Sequence, residues 1–265
     1  MEKNKYRKDG GQNQPRRRIV VSNSLATNSL SYKKPLMVAW WSLAFPGFGH
    51  FLLGNHLFGV ILVVFEFLIN TLSGLNTAIY FSMLGDFQEA KEAIELKYFF
   101  VYIPIYIFAV WDSYRKAIEL NMDIELTITS KEKFNINPFH LSILEVNSLR
   151  KKNTAMTLLW AFIMPPMLYI YIHRFITLVF TAIWWGALLY FTNIMEAVYY
   201  SAIGEFSKTK EILDPQWVLN LPSVYTFTIF DVHTKAIENN KMYELEMIHH
   251  LRSTYQEGSL EDLFT

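Results

Sequence analysis

The chain has 265 residues, of which 52% are hydrophobic, 16% aromatic and 18% charged, with zero formal net charge. Charge and apolarity at these levels coexist only if the charges are segregated from long apolar blocks, which points to an integral membrane protein rather than a soluble globule. Cysteine is absent, and this excludes disulfides, thiolate metal sites and cysteine nucleophiles together.

In chain order, residues 1–34 carry nine Lys or Arg and read as a basic, disordered, cytoplasmic tail. The tail lacks the early apolar core of a signal peptide. Its "PRRR" and the pair Lys33, Lys34 are expected to bind anionic lipid rather than nucleic acid. Apolar blocks follow at Leu36–Gly54, Leu57–Leu84, Tyr98–Trp111, Thr154–Ile172, Phe175–Ile203 and Trp217–Phe230. Several approach the roughly 20 residues that cross a hydrocarbon core as helix. Trp40, Trp41, Tyr98 and Trp217 flank them as interfacial aromatics do.

A shift of 119 residues (197 − 78) places "AIYFSMLGDFQEAKEAI" from Ala78 on "AVYYSAIGEFSKTKEIL" from Ala197. The same shift places "WDSYRKAIELN" from Trp111 on "FDVHTKAIENN" from Phe230, and pairs Trp41 with Trp160 and Pro46 with Pro165. One gapless register that also matches Gly85 with Gly204 and Lys91 with Lys210 in polar stretches reads as an internal duplication. The expected organisation is membrane repeat one at 35–121, a cytoplasmic linker at 122–153, membrane repeat two at 154–240, and an amphipathic cytoplasmic tail at 241–265.

Basic residues set the expected topology. The stretch Ser113–Asn153 carries seven Lys or Arg, and Val232–Thr265 three, whereas Gly85–Lys97 and Gly204–Gln216 carry two each among more numerous acids. All basic stretches share one side if the first block of each repeat dips in and returns. The expected fold is therefore all-α, two parallel repeats each with one broken or re-entrant segment and two spanning helices, both termini cytoplasmic in a bacterial plasma membrane. Six spans in inverted repeats is the alternative.

The break itself is "FPGFGHFLLGNHLFG", Phe45–Gly59, in which Pro46 ends a helix and the glycines permit a tight turn and close helix approach. Gly47, Gly49, His50, Phe51, Leu53, Gly54 and Gly59, followed by the pair Trp111, Asp112, resemble the glycine-rich signature of the TM-two domain family. Members of that family are small membrane modules of two apolar segments joined by a short turn. The resemblance implies a membrane module without a defined biochemical activity. The second repeat keeps Pro165 and Asp231 but carries "PPMLYIYIHRF" where the glycines stand.

Ionisable and amide groups inside apolar blocks are site candidates by default, because burying them is expensive. Here they are Glu66, Asn70 and Asn76 in the first repeat and Asn193 and Glu196 in the second, with His50, His56 and His173 near the breaks. The position of Glu66 is taken by Trp185 in the second repeat, which disfavours a symmetric two-carboxylate ion site. His50 and His56 lie six apart across a turn, so they are read as structural and not as metal ligands. The i,i+4 pairs Asp112/Lys116 and Asp231/Lys235 read as structural ion pairs at helix ends, with a lysine snorkelling to the interface. Runs such as "NPFHLSILEVNSLRKK" and "YELEMIHHLRSTYQE" read as interfacial or partner-binding helices.

No hydrolase elbow, phosphate loop, zinc-protease helix or dinucleotide fingerprint is present, so neither catalysis nor a cofactor is expected. The sequence favours a structural module that packs with the bilayer, other membrane proteins or itself. A small transporter or channel using Glu66 and the broken segments is the alternative.

Overall fold

The computed structural model describes residues 20–22, 27–29, 31–129, 139–141 and 146–255. Strands β1 (Val20–Ser22) and β2 (Thr27–Ser29) pair antiparallel, with Val20 opposite Ser29. Helices α1 (Pro35–Ala44), α2 (Phe48–Leu52), α3 (His56–Ser73), α4 (Leu75–Leu84), α5 (Phe87–Ala93) and the long α6 (Leu96–Thr129) follow. A second antiparallel pair, β3 (Phe139–Leu141) and β4 (Val146–Ser148), puts Phe139 opposite Ser148. Then come α7 (Thr154–Ile163), a 3-10 turn at Pro165–Met167, α8 (Leu168–Tyr171), α9 (Phe175–Thr192), α10 (Ile194–Ala202), α11 (Phe206–Ile212), α12 (Pro215–Val218) and α13 (Leu221–Tyr255).

Element starts in the second half fall 119 residues after those in the first: β3 after β1 (139 − 20), α9 after α3 (175 − 56), α11 after α5 (206 − 87). The left-handed backbone positions follow the same offset, Gly54 with His173, Gly74 with Asn193 and Gly85 with Gly204. Local chemistry explains several boundaries. Pro35 opens α1, where a missing N–H is harmless. Asn153 caps α7 by accepting from the N–H groups of Ala155 and Met156, and Asp86 and Asp214 cap α5 and α12 through Glu89 and Gln216.

Helix α1 packs on α6, and α7 packs correspondingly on α13. Reciprocal hydrogen bonds fasten the chain entering each short helix to its long one. The Lys33 N–H donates to Asn121 Oδ1 at 2.9 Å and Asn121 Nδ2 returns to the Lys33 carbonyl at 2.7 Å. Lys152 and Asn240 repeat the exchange at 2.6 and 2.8 Å. The halves meet in an aromatic core in which Phe45, Phe48, Phe51 and Phe67 pack with Leu188, Val224 and Phe227. Phe48 and Phe227 stack with centroids 4.0 Å apart.

The outer faces are unlike those of a water-soluble bundle. Along α3 the exposed positions are Leu57, Ile61, Val64, Leu68, Thr71 and Leu72, an uncharged and mostly apolar stripe at helical spacing, while Glu66, Asn70 and Ser73 are on the buried face. On α6, Phe100, Ile103, Ile107, Trp111, Tyr114 and Ile118 form a second such stripe. Among the described residues two helices, α3 and α9, are long and apolar enough to cross a membrane, or three spans are reached if α5 and α6, bent by 84° at their break, count as one.

Three expectations are corrected. Residues 139–141 and 146–148 are strands, not the amphipathic helix read from "NPFHLSILEVNSLRKK". The basic tail is ordered in part, because β1 and β2 pair and Lys33 is buried; residues 1–19 lie outside the described residues. The boundaries at 121/122 and 240/241 fall inside continuous helices, since α6 runs on to Thr129 and α13 to Tyr255.

Candidate functional site

The glycine-rich break is a turn that lays α2 directly on α1 and α3. Phe45 is extended after α1 ends, and Gly47 adopts φ +100°, a conformation L side chains rarely hold. A Cβ at Gly47 would stand 2.6 Å from the Gly59 carbonyl oxygen. One at Gly49 would stand 2.5 Å from the Val38 carbonyl oxygen and 2.3 Å from Ser42 Oγ. Both glycines, with buried Pro46 and Gly59, therefore serve backbone approach, and Gly54 completes the turn into α3 at φ +78°.

This packing drives His50 into the interior, where its Nε2 and Asp112 Oδ2 are 3.1 Å apart. Asp112 is buried and also accepts from Arg115 at 2.8 Å and Lys116 at 2.7 Å. The matching point of the second half is built with another donor: the Tyr169 hydroxyl donates to Asp231 Oδ2 at 2.7 Å, and Lys235 Nζ approaches the same oxygen at 2.5 Å. Each aspartate thus ties a short buried helix to its long helix as well as holding the lysine one turn on. Lys235 does not snorkel; its side chain is 5% exposed and remains against Asp231. Trp111 is separate from this hub, with its ring on the exposed surface beneath the Arg115 guanidinium. Pro165 is buried and opens the 3-10 turn that leads to Tyr169.

A second polar cluster lies deeper in the first half. Glu66, 4% exposed, accepts through Oε1 from Asn70 Nδ2 at 3.0 Å and from the Tyr102 hydroxyl at 3.1 Å. Asn70 Nδ2 also donates to Asn76 Oδ1 at 3.2 Å, and Asn70 Oδ1 accepts from Gln216 Nε2 at 2.7 Å. Gln216 joins from the second half and receives the Thr77 N–H and hydroxyl on its own Oε1. Every amide here is used at both ends, but Glu66 Oε2 is buried without a partner. A charged carboxylate oxygen buried without a protein donor is costly, so this atom is open to a further partner.

Sequence reasoning found Glu66, Asn70 and Asn76, and the structure brings the three together. It does not bring Glu196 to them; that side chain is exposed in the first turn of α10. Tyr102, Gln216 and Tyr169 were missed. The matched offset of Asp112 with Asp231 and of His50 with Tyr169 was the available signal for the hub, since both His and Tyr can donate to a carboxylate. His56 packs beside the Phe51 ring and is not a partner of His50. Among the described residues no group of three or more His, Asp or Glu side chains is arranged to hold a metal ion. Comparison with protein families, characterised proteins and solved structures finds no match to this chain.

Proposed function

We propose that this chain is a multi-pass membrane protein built from two tandem, duplicated modules, whose role is to pack with lipid and with other membrane proteins or copies of itself rather than to catalyse a reaction. The observation that carries this reading is the inverted polarity of α3: its exposed stripe is apolar except for Thr71 and carries no charge, while its buried face holds Glu66, Asn70 and Ser73. The common offset of element boundaries and left-handed positions supports the duplication. Helix α1 has ten residues and so is about 15 Å long, half a hydrocarbon core, and α2 folds back on it, which supports a re-entrant first segment like that of the TM-two modules. With that segment re-entrant, four spans put both termini and every basic stretch in the cytoplasm of a bacterial cell, where residues 1–34 meet anionic lipid.

Single cysteines test the topology in a chain that has none of its own. Ser22→Cys and Ser142→Cys are both shielded from an impermeant thiol reagent in intact cells, and labelling of the second alone overturns the four-span arrangement. Crosslinking with mass spectrometry in native membranes then tests the packing role: reproducible crosslinks from the exposed stripes to a membrane protein or a second copy are expected, and their absence in several crosslinking chemistries counts against it.

The unpartnered Glu66 Oε2 favours one second reading, a small transporter in which this carboxylate takes up a proton or cation. Vesicles containing the purified protein distinguish the two. Ion or solute flux abolished by Glu66→Gln supports transport, and no flux above empty vesicles supports the structural role.

A further inference from the structure

Where the two halves meet beside the Lys33–Asn121 tie, a small cleft, partly open to solvent, is lined by Lys33, Gly54, Leu120, Arg174, Lys235 and Glu238. Three cations face it with unequal partners. Lys33 Nζ is paired with Glu238 Oε1, and Lys235 Nζ with Asp231 Oδ2. Arg174 is 7% exposed, yet its guanidinium forms no hydrogen bond or ion pair with any described residue. Asp231 and Glu238 act on it only through longer-range attraction, and each is already committed to a lysine. The stem of this side chain is buried while its guanidinium nitrogens reach the solvent in the cleft, so its donors are open to a ligand.

We infer that this cleft binds a singly charged phosphate group, held by Arg174 with Lys33 and Lys235 at its sides. Three cations against Asp231 and Glu238 leave one formal positive charge, which a phosphodiester or a phosphate monoanion cancels. The guanidinium fork matches two phosphate oxygens at once, which an isolated lysine does not do. The apolar helices α3 and α9 both begin here, with Arg174 the residue before Phe175, and their positive dipole ends favour an anion at the same place. The matching position in the first half is Asn55, so only one of the two junctions is built this way. Binding of the anion rests on Arg174 and the two flanking lysines and not on the membrane reading; that its source is a lipid headgroup rests on that reading, which puts the starts of α3 and α9 at the interface.

The test uses the full-length protein in detergent, titrated by native mass spectrometry with dioleoyl phosphatidylglycerol and separately with inorganic phosphate. One ligand binds with 1:1 stoichiometry, and Arg174→Gln weakens it about tenfold, the equivalent of one strong charge-assisted interaction, while Arg252→Gln on exposed α13 changes nothing. Loss confined to the lipid titration identifies a headgroup site; loss in the phosphate titration identifies a site for the free anion. Glu238→Gln frees Lys33 and tightens binding, an opposite change that remains measurable if Arg174→Gln fails to fold. Equal binding by wild type and Arg174→Gln, no binding of either probe, or unchanged affinity in Glu238→Gln overturns the inference.

Discussion

The first and second halves build the same elements at the same offset from different interiors. Where the first half places Glu66, Asn70, Asn76 and Tyr102, the second places Trp185, Leu189, Met195 and Leu221. Residues that fasten one element to another recur instead: Asp112 and Asp231, Lys116 and Lys235, Tyr106 and Tyr225, Asn121 and Asn240. The second half shows that α9 forms without a buried carboxylate, so the Glu66 cluster is not a requirement of the helical scaffold. A polar cluster that the scaffold can do without is where a function beyond folding would be found.

The largest difference to be broken experimentally is at the two aspartates. Asp231→Ala leaves Lys235 buried without a counterion and is expected to destabilise by about 3–5 kcal/mol. Asp112→Ala releases Arg115 and Lys116, whose side chains are 43% and 27% exposed, so water replaces much of what those two lose, and the buried polar cost is confined to His50. A cost of about 1–2 kcal/mol follows for that variant. Thermal unfolding of both variants in one detergent gives the ranking; equal losses would mean that the two hubs share the same solvation despite their different exposure.

Gly49 and Leu168 occupy matching positions and have opposite steric settings. Gly49→Leu must displace the α1 backbone at Val38, and overpacking of this kind costs about 1–3 kcal/mol or more. Leu168 packs with Ala161 and Val232, and its truncation to Ala costs about 2–5 kcal/mol by leaving a cavity. His50→Gln, which keeps a donor toward Asp112, is expected to alter folded yield less than either. Metal bound stoichiometrically to the parent protein and lost in His50→Gln and His56→Gln would reverse this structural reading of the turn.

Substituting Glu66 tests the cluster itself. Glu66→Leu orphans the Tyr102 hydroxyl, while Asn70 keeps Asn76 and Gln216, so about 1–3 kcal/mol is lost. Glu66→Gln retains an acceptor for Tyr102 and is expected to remain within about 1 kcal/mol of the parent by thermal unfolding. A larger loss in Glu66→Gln than in Glu66→Leu would show that the charge, not the hydrogen bonding, holds this region.

Much of this comparison was visible in the sequence. Pro46, the glycines and the matched polar stretches marked the break and the offset, and three members of the Glu66 cluster stood out as polar groups in apolar blocks. What was not visible came from distance and from ambiguous periodicity. Gln216 reaches Asn70 across 146 residues, and nothing local to either announces the other. Residues 139–148 are short and mixed in polarity, so a helix and a pair of strands fit them equally well; the recurrence of Asn-Ser-Leu at 28–30 and 147–149 was the cue to matched strand pairs. The i,i+4 lysines made Asp112 and Asp231 read as ion pairs within one helix end, although both are also buried partners of residues 62 positions earlier.

The smallest effect is expected where the halves agree most. The Tyr106 hydroxyl donates to the Leu43 carbonyl and the Tyr225 hydroxyl to the Phe162 carbonyl at 2.6 Å, near the end of α1 and of α7. Each carbonyl lies in the last turn of its helix, where no following residue supplies an intrahelical N–H, so the tyrosine satisfies a group that would otherwise need water. Both tyrosines are only partly buried. Tyr106→Phe and Tyr225→Phe are therefore each expected to lower stability by about 0.5–1.5 kcal/mol, the net worth of one hydrogen bond. The double variant should lose the sum, because the two ties are on separate helix pairs and share no partner. Additive, equal losses measured by thermal unfolding would identify these ties as independent repeats of one device; a double loss well beyond the sum would mean that α1 and α7 open together and that the halves fold as a single unit.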